Sequence, residues 1–517
     1  MTKHLPLFIL LFLSAAFAAW QQAPSTGKYA IDLPQKLDQY FKQAQSDWEV
    51  PGLSVAIVKD GKLVLAKGYG ELELGKGTNT DGQTLYAIAS NTKAFISAAI
   101  AMLVEDGRLD WDDPVIKHLP YFRMSDDYVT QNITVRDLLC HRSGLGTFSG
   151  DVIWYKSDYK AEEAIQRIKE IPPAFSFRSG YGYSNLMFIT AGEVIKAVSG
   201  QSWSDFVKQR IFMPLGMTRT ITSVNDLEQL GNVATPHKLF EGKHHPIAWT
   251  NWDNMGAAGG IISSVEDMAK WMQLQIDRGV HKGDTLFREG SQDEFWTPHN
   301  NFRVGRDNPF HPSRNFSAYG LGWSVSDKKG QKVVSHGGGY DGMYSRVAIV
   351  PGANLGVVVL TNGMRGISTA LCNYVLDQYL SDGQRDWSED LLVFQRERED
   401  QRKLLVAQLR ADRQKDSSPS ASPKAFTGRY ESPMYGAIDV LQKDGKLQLH
   451  FVTAPKLDAE LKHWHFNTYE ILWKETHAWF DFGTLQFVMD NRGQAVELRF
   501  DVPNNDIFFD EIKAVRK

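Results

Sequence analysis

Ser90 and Lys93 stand three residues apart in YAIASNTKAF (Tyr86–Phe95), where a strand-like run gives way to an apolar helical one. A serine hydroxyl attacks a carbonyl only when a neighbouring group takes its proton. Positions i and i+3 share a helix face, so the lysine nitrogen can reach the serine oxygen. Spacing alone is weak evidence, because Ser25/Lys28, Ser157/Lys160 and Ser326/Lys329 repeat it in the same chain. Context separates the first pair: at the start of an apolar helix, burial disfavours the ammonium and leaves an amine able to act as a base.

Two further stretches offer partners. YGYSNLMF places Tyr183 and Asn185 two residues apart, on one side of an extended segment just ahead of a helix. SHGGGYDG sets His336 before Gly337, Gly338 and Gly339, where missing side chains would let a substrate backbone lie against a strand edge. Each has a plainer reading: a core tyrosine with a satisfied hydroxyl, and a glycine-rich tight turn.

The elements that must position these groups read as strands, then many helices, then strands. LSVAIVKDGKLVLAKGYG is a hairpin turning at Asp60-Gly61. After Ser90 the pattern becomes helical, with Phe95, Ile96, Ala99, Ile100 and Leu103 on one side and Gly107 as its stop. SNLMFITAGEVIKAVSG and SSVEDMAKWMQLQIDRG are further helices closed by glycine, and Gln331 to Asn362 returns to strands. Without regular βαβ alternation, this order predicts an α+β domain on an antiparallel sheet, residues 20–385. A charged helix and a Ser/Pro linker follow over 386–424. Residues 425–517 alternate apolar and polar in short runs with turns at Asp444-Gly445 and Arg492-Gly493, which predicts a small antiparallel β-domain. Its aromatics Trp464, Phe466, Trp473, Trp479 and Phe480 are expected mostly in its core.

At 517 residues the chain can hold two or three cores. A net charge of −4 gives no polycationic surface for phosphate backbones, which argues against nucleic acid and for a small-molecule or peptide substrate. At the N-terminus Lys3 and His4 precede the apolar Leu5–Leu13, and Ala16-Phe17-Ala18 fits the small-residue cleavage pattern. Residues 1–18 are therefore expected to be an export signal, the mature protein periplasmic or secreted and without a stable membrane span. An uncleaved anchor is the alternative, although the run is shorter than the ~20 residues that cross a bilayer. Cys140 and Cys372 lie in apolar, helix-like surroundings and read as two separate buried thiols rather than a disulfide.

Taken together, Ser90-x-x-Lys93, Tyr183-x-Asn185 and His336-x-Gly338 resemble, in order and approximate separation, the motifs of the penicillin-recognising serine hydrolases. That family includes class C β-lactamases, D-alanyl-D-alanine carboxypeptidases, D-aminopeptidases and esterases. ITVRDLLCHRSGL, IFMPLGMTRT, AAGGIISSVEDMAKW and YGLGW look like its connecting signatures, so the resemblance spans roughly Leu37 to Leu380. The tail is similar to the lipocalin-like domain appended to some peptidases of this family. The resemblance implies a β-lactamase-like domain in which Ser90 forms an acyl-enzyme. Lys93 and Tyr183 share the base role, and Asn185 orients Lys93 or binds the substrate amide. Backbone N–H groups of Ser90 and Gly339 hold the oxyanion, and His336, Gly337 and Gly338 bind substrate. It calls for no metal or cofactor, and a homo-oligomer is compatible with it.

One departure bears on substrate. The lactamases and carboxypeptidases of the family usually carry a lysine, which helps bind a free carboxylate, where this chain has His336. A histidine largely neutral near pH 7 does that poorly. The expectation is therefore an exported peptidase or amidase, with D-residue specificity within its range, or an esterase; a β-lactamase or carboxypeptidase is the alternative. From other classes stand a non-catalytic scaffold that has kept the fold and a lipid binder acting through the barrel. The intact catalytic set favours the enzyme.

Overall fold

The computed structural model describes residues 33–517 apart from 306, 307, 309, 312 and 382. The export signal expected over residues 1–18 lies outside the described residues. Eight strands make one antiparallel sheet: β1 (Gly52–Lys59), β2 (Lys62–Gly70), β3 (Asn300–Phe302), β4 (Ser317–Tyr319), β5 (Ser324–Lys328), β6 (Gln331–Tyr340), β7 (Met343–Val350) and β8 (Leu355–Thr361). Their order across the sheet is β2-β1-β8-β7-β6-β5-β4-β3, so the first hairpin docks against the last strand.

Both faces of the central strands are covered, and their near-continuous apolar sequence reflects it. In β1, Val55 and Ile57 face one layer while Ala56 and Val58 face the other. One layer is formed by α1 (Leu33–Asp47) and α5 (Ile367–Leu380), through Leu37, Phe41, Leu371 and Val375. The opposite layer contains α2 (Thr92–Glu105), α3 (Asn185–Ser199) and α4 (Val265–Ile276) within a larger helical region. The edge strand β2 presents Lys62 and Lys67 to solvent, which discourages pairing with another sheet. The β1–β2 hairpin turns at Asp60 and Gly61, both at positive φ (50° and 72°), as an Asp-Gly tight turn requires.

Helix α2 departs from the one-sided pattern expected of it: Thr92 through Leu103 are all buried. A helix enclosed on every side has no polar stripe, and its small residues Ser97, Ala98, Ala99 and Ala101 allow that enclosure. Gly107, at φ 70°, follows its end. Cys140 and Cys372 are separate buried thiols.

A 25-residue helix, α6 (Trp387–Ala411), leads from the sheet domain to the C-terminal domain and packs on both. Glu399 pairs with Arg365, Arg402 donates to the Trp479 carbonyl at 3.3 Å, and Arg410 pairs with Glu470 at 3.0 Å. The Ser/Pro stretch beyond it is also tied down, Ser420 N–H donating to Asn467 at 2.9 Å. The tail closes as an eight-stranded antiparallel barrel from β9 (Gly428–Ser432) to β16 (Ala514–Arg516). Phe426, Tyr430, Phe451, Phe487 and Phe509 fill it. Asp444-Gly445 is a tight turn with both φ positive. At Arg492-Gly493 only the glycine is left-handed, and the turn is a longer loop closed by Gly493 N–H on the Asp490 carbonyl. Of the expected core aromatics, Phe466 is 58% exposed at a hairpin tip, while Trp464 and Phe480 are buried. Among the described residues no helix is long and apolar enough to cross a membrane.

Candidate active site

Ser90 sits in a single 3₁₀ turn, Ala89–Asn91, which runs directly into α2. Ala89 has φ 47°, an unfavourable value for a residue with a Cβ. Strand β7 holds this turn in place: Ser345 Oγ donates to the Ile88 carbonyl at 2.7 Å and accepts from Asn91 Nδ2 at 2.8 Å.

Lys93, one turn on, is fully buried and its Nζ has three neighbours. They are Ser90 Oγ at 3.0 Å, Asn185 Oδ1 at 2.8 Å and the Ala258 carbonyl at 2.7 Å. Burial lowers its pKa to about 7, with the Asp151 carboxylate opposing the shift. The two carbonyl-type oxygens can only accept, so a neutral amine commits its two N–H groups to them. Its lone pair is then left for the one partner able to donate, the Ser90 hydroxyl. In that form the geometry allows the amine to accept the Ser90 proton.

Asn185 is the first residue of α3 rather than part of an extended segment. Its amide nitrogen donates to Asp151 Oδ2 at 2.7 Å, and Asp151 Oδ1 accepts from Trp154 Nε1 at 2.9 Å. Burial pushes the Asp151 carboxyl up to about 8 against these two hydrogen bonds and the nearby lysine. Tyr183 precedes the helix, its backbone fixed by Thr147 Oγ1 and Phe148 N–H. Its ring lies 4.8 Å from Lys93 Nζ. Burial holds its phenol well above the ordinary value, Ser90 hydrogen bonding opposing, so the group stays protonated at neutral pH.

The three glycines lie within β6, not in a tight turn; the turn comes after them, at Gly342. Strand β5 covers β6 only as far as Ser335, opposite Ser324, so residues 336–340 have one main-chain edge free of strand pairing. Gly338 is required by close approach: a Cβ there would lie 2.3 Å from the Ile88 carbonyl, beside Ser90. At Gly337 an added Cβ would make only ordinary contacts. His336 Nε2 accepts from Tyr319 Oη at 2.9 Å and Nδ1–H donates to the Gly337 carbonyl at 2.6 Å. Both nitrogens are thus used by a neutral ring, and burial with Lys93 nearby brings its pKa down to about 3.

The barrel reaches this site. Glu511 accepts from Gly150 N–H at 2.7 Å and from Ser149 Oγ, fixing the segment that carries Asp151. Lys238 binds the Phe480 carbonyl at 3.0 Å, the His477 carbonyl and Asp481, and so anchors the loop that brings Trp479 forward. A Cβ on Gly339 would come 3.1 Å from the Trp479 ring.

The sequence-derived residues Ser90, Lys93, Tyr183, Asn185, His336 and Gly338 converge on one spot, while Gly337 and Gly339 turn to the other face of the sheet and can meet a substrate there only through their main chain. Asp151, Ser345, Tyr319 and Trp479 were not legible. The only local hint for Asp151 is an acidic residue opening the apolar DVIWY.

Residues 37–378 match the family described as Beta-lactamase, and residues 412–516 match one described as Domain of unknown function (DUF3471). The chain belongs to the β-lactamase family of serine hydrolases. It is 30% identical over 436 residues to the unguisins hydrolase ungD' of Aspergillus campestris, covering 79% of this chain and 78% of that protein. Its fold is similar to the octameric penicillin-binding protein homologue from Pyrococcus abyssi, with TM-score 0.61, 22% identity and coverage of 93% and 99%. It is also similar to a D-stereospecific amidohydrolase from Streptomyces sp., with TM-score 0.52, 24% identity and coverage of 64% and 94%.

Proposed function

We propose that the protein hydrolyses an amide bond in a peptide through a Ser90 acyl-enzyme, esters being the second substrate class. The observation that carries this reading is the hydrogen-bond set of Lys93, which leaves its lone pair only Ser90 as a donor. Lys93 takes the Ser90 proton as Oγ bonds to the carbonyl carbon, and the oxyanion forms against the N–H groups of Ser90 and Gly339. Collapse breaks the C–N bond, and the departing amine receives that proton through the neutral Tyr183 phenol. Water then adds to the ester with Lys93 again as base, releasing the acid and Ser90.

The unpaired edge of β6 at residues 336–340 suits an extended peptide lying beside Ser90, with His336, Gly337 and Gly338 along it. A neutral His336 offers no cation to a terminal carboxylate, which favours an amidase or endo-acting peptidase over a carboxypeptidase or lactamase. The relative named an unguisins hydrolase suits a hydrolytic reaction, and the name of the D-stereospecific amidohydrolase suits amide substrates that include D-residues. Export, read on residues 1–18, belongs to the same proposal, as does a lipocalin-like character for the barrel.

The test is reaction with a fluorophosphonate, the adduct located by mass spectrometry, with Ser90→Ala as control. Label on Ser90, absent from the variant, is the expected result and leads to a panel of D- and L-aminoacyl amides, peptides, esters and β-lactams. A folded protein that stays unlabelled and forms no adduct with penicillin would instead favour the scaffold reading.

A further inference from the structure

On the back of the sheet, away from Ser90, lies a cavity of about 200 Å³ between β5, β6, β7, α5, the start of α6 and the side chains of Phe310, His311, Ser313 and Arg314. Side chains alternate across a strand, so Ser335 and Arg346 face this cavity while their neighbours His336 and Ser345 face the catalytic side. Its wall is rich in cations, Arg314, Lys328 and Arg346 among them.

Among the described residues, the acids that line it, Asp327 and Asp377, are already committed. Asp377 takes Lys328 Nζ at 2.8 Å and the Trp387 indole N–H. Asp327 accepts from Asn315 N–H and Nδ2, both at 2.7 Å, and from Phe316 N–H at 2.9 Å, and its only link to Arg314 is attraction through space. Arg314 and Arg346 form no hydrogen bond or ion pair through their guanidinium groups among the described residues, and Arg314 Nε is fully buried without a partner. Their mutual repulsion adds to the cost of burying Arg314. His311, in the same wall, is held down to about 4 by burial and the surrounding cations, so it adds no charge near pH 7. Two half-buried guanidinium groups without a hydrogen-bonded acid, facing one small cavity, leave donors that an anion between them would satisfy. Ser326, Ser335 and Asn373 supply neutral donors around the same space.

We propose that this cavity binds a phosphoryl group, free or esterified to a small molecule, between Arg314 and Arg346. The planar guanidinium fork matches tetrahedral oxyanions in pairs of hydrogen bonds, and a dianion balances both charges. The site is separate from Ser90 and stands whether or not the hydrolytic reading holds. Arg346 pairs across the sheet with Gly337, so the occupied cavity backs the strand whose other face carries His336.

The test is calorimetric titration of the full chain with inorganic phosphate, ionic strength held constant with chloride. The expected result is saturable one-to-one binding, weakened about tenfold or more by Arg346→Met and by Arg314→Met taken separately. Arg429→Met, at an exposed pair on the barrel, should bind as the parent does. Glycerol 3-phosphate binding more tightly than inorganic phosphate assigns the esterified form, and the reverse order assigns the free ion. The parent showing no heat beyond the chloride control overturns the proposal, and this arm needs no variant to fold. So does unaltered binding in both folded variants, or equal loss in Arg429→Met.

Discussion

The amide nitrogen of Asn185 donates to Asp151 at 2.7 Å while its oxygen accepts from Lys93 at 2.8 Å, so a buried carboxyl sets which way the amide faces the lysine. In Asp151→Asn, one side-chain oxygen meets two donors, Trp154 Nε1 and Asn185 Nδ2. Asn185 then turns its nitrogen toward Lys93 or leaves a donor unpaired, at about 1–3 kcal/mol. Steady-state kinetics should show kcat reduced about tenfold or more with KM little changed. An unchanged kcat would remove Asp151 from the positioning of Lys93.

The lowered pKa of Lys93 predicts a rate that needs the free amine. The pH profile of kcat/KM should rise with unit slope through about 7 and then level off. Lys93→Met should remove the limb and nearly all activity. The sign for stability follows from the same shift. Between about 7 and the ordinary lysine value of 10.5, the unfolded chain holds a proton that the folded site does not. This group's contribution to stability therefore increases with pH across that window.

Gly338→Ala forces a methyl to within 2.3 Å of the Ile88 carbonyl, which is rigid backbone next to the Ser90 turn. Denaturant unfolding should show a loss of about 1–3 kcal/mol, accompanied by a marked fall in turnover. Gly337→Ala, where the nearest atom is 3.7 Å away, should cost less than about 1 kcal/mol. Equal losses for the two would contradict the close-approach account.

With both ring nitrogens of His336 bonded, NMR of its imidazole protons should show no titration above about pH 4. Tyr319→Phe removes the donor to Nε2, frees that nitrogen to take a proton, and should move the midpoint upward. A parent midpoint near 6.5 would restore a charged histidine to the site.

Trp479, carried by the barrel, packs against Gly339 and Tyr344 on the sheet face opposite His336 and Gly338. Trp479→Ala removes that backing from the strand and should lower kcat/KM for a bulky peptide and a small ester in proportion. A change confined to bulky peptides would mean that the ring gates access instead.

Much of the site was legible because its residues are local pairs read against a helical or extended period: Ser90 with Lys93, Tyr183 with Asn185, His336 with its glycines. The Asp-Gly hairpins, the glycine after α2 and the alternating tail likewise declare themselves, since turn geometry and side-chain period act over a few residues. Even so, local pattern misjudged α2, which lacks a solvent face, and Asn185, which begins a helix. What only the tertiary structure decided is what burial and long-range contact create. Asp151 lies 34 positions from the Asn185 it orients. The low pKa of Lys93 comes from the packing that excludes water on every side of α2. Trp479 and Glu511 come from a domain whose own sequence gives no sign of where it docks. Sequence supplied the candidate groups, and the fold supplied their burial and their neighbours, because solvation and electrostatics depend on everything packed around a group and not on its position in the chain.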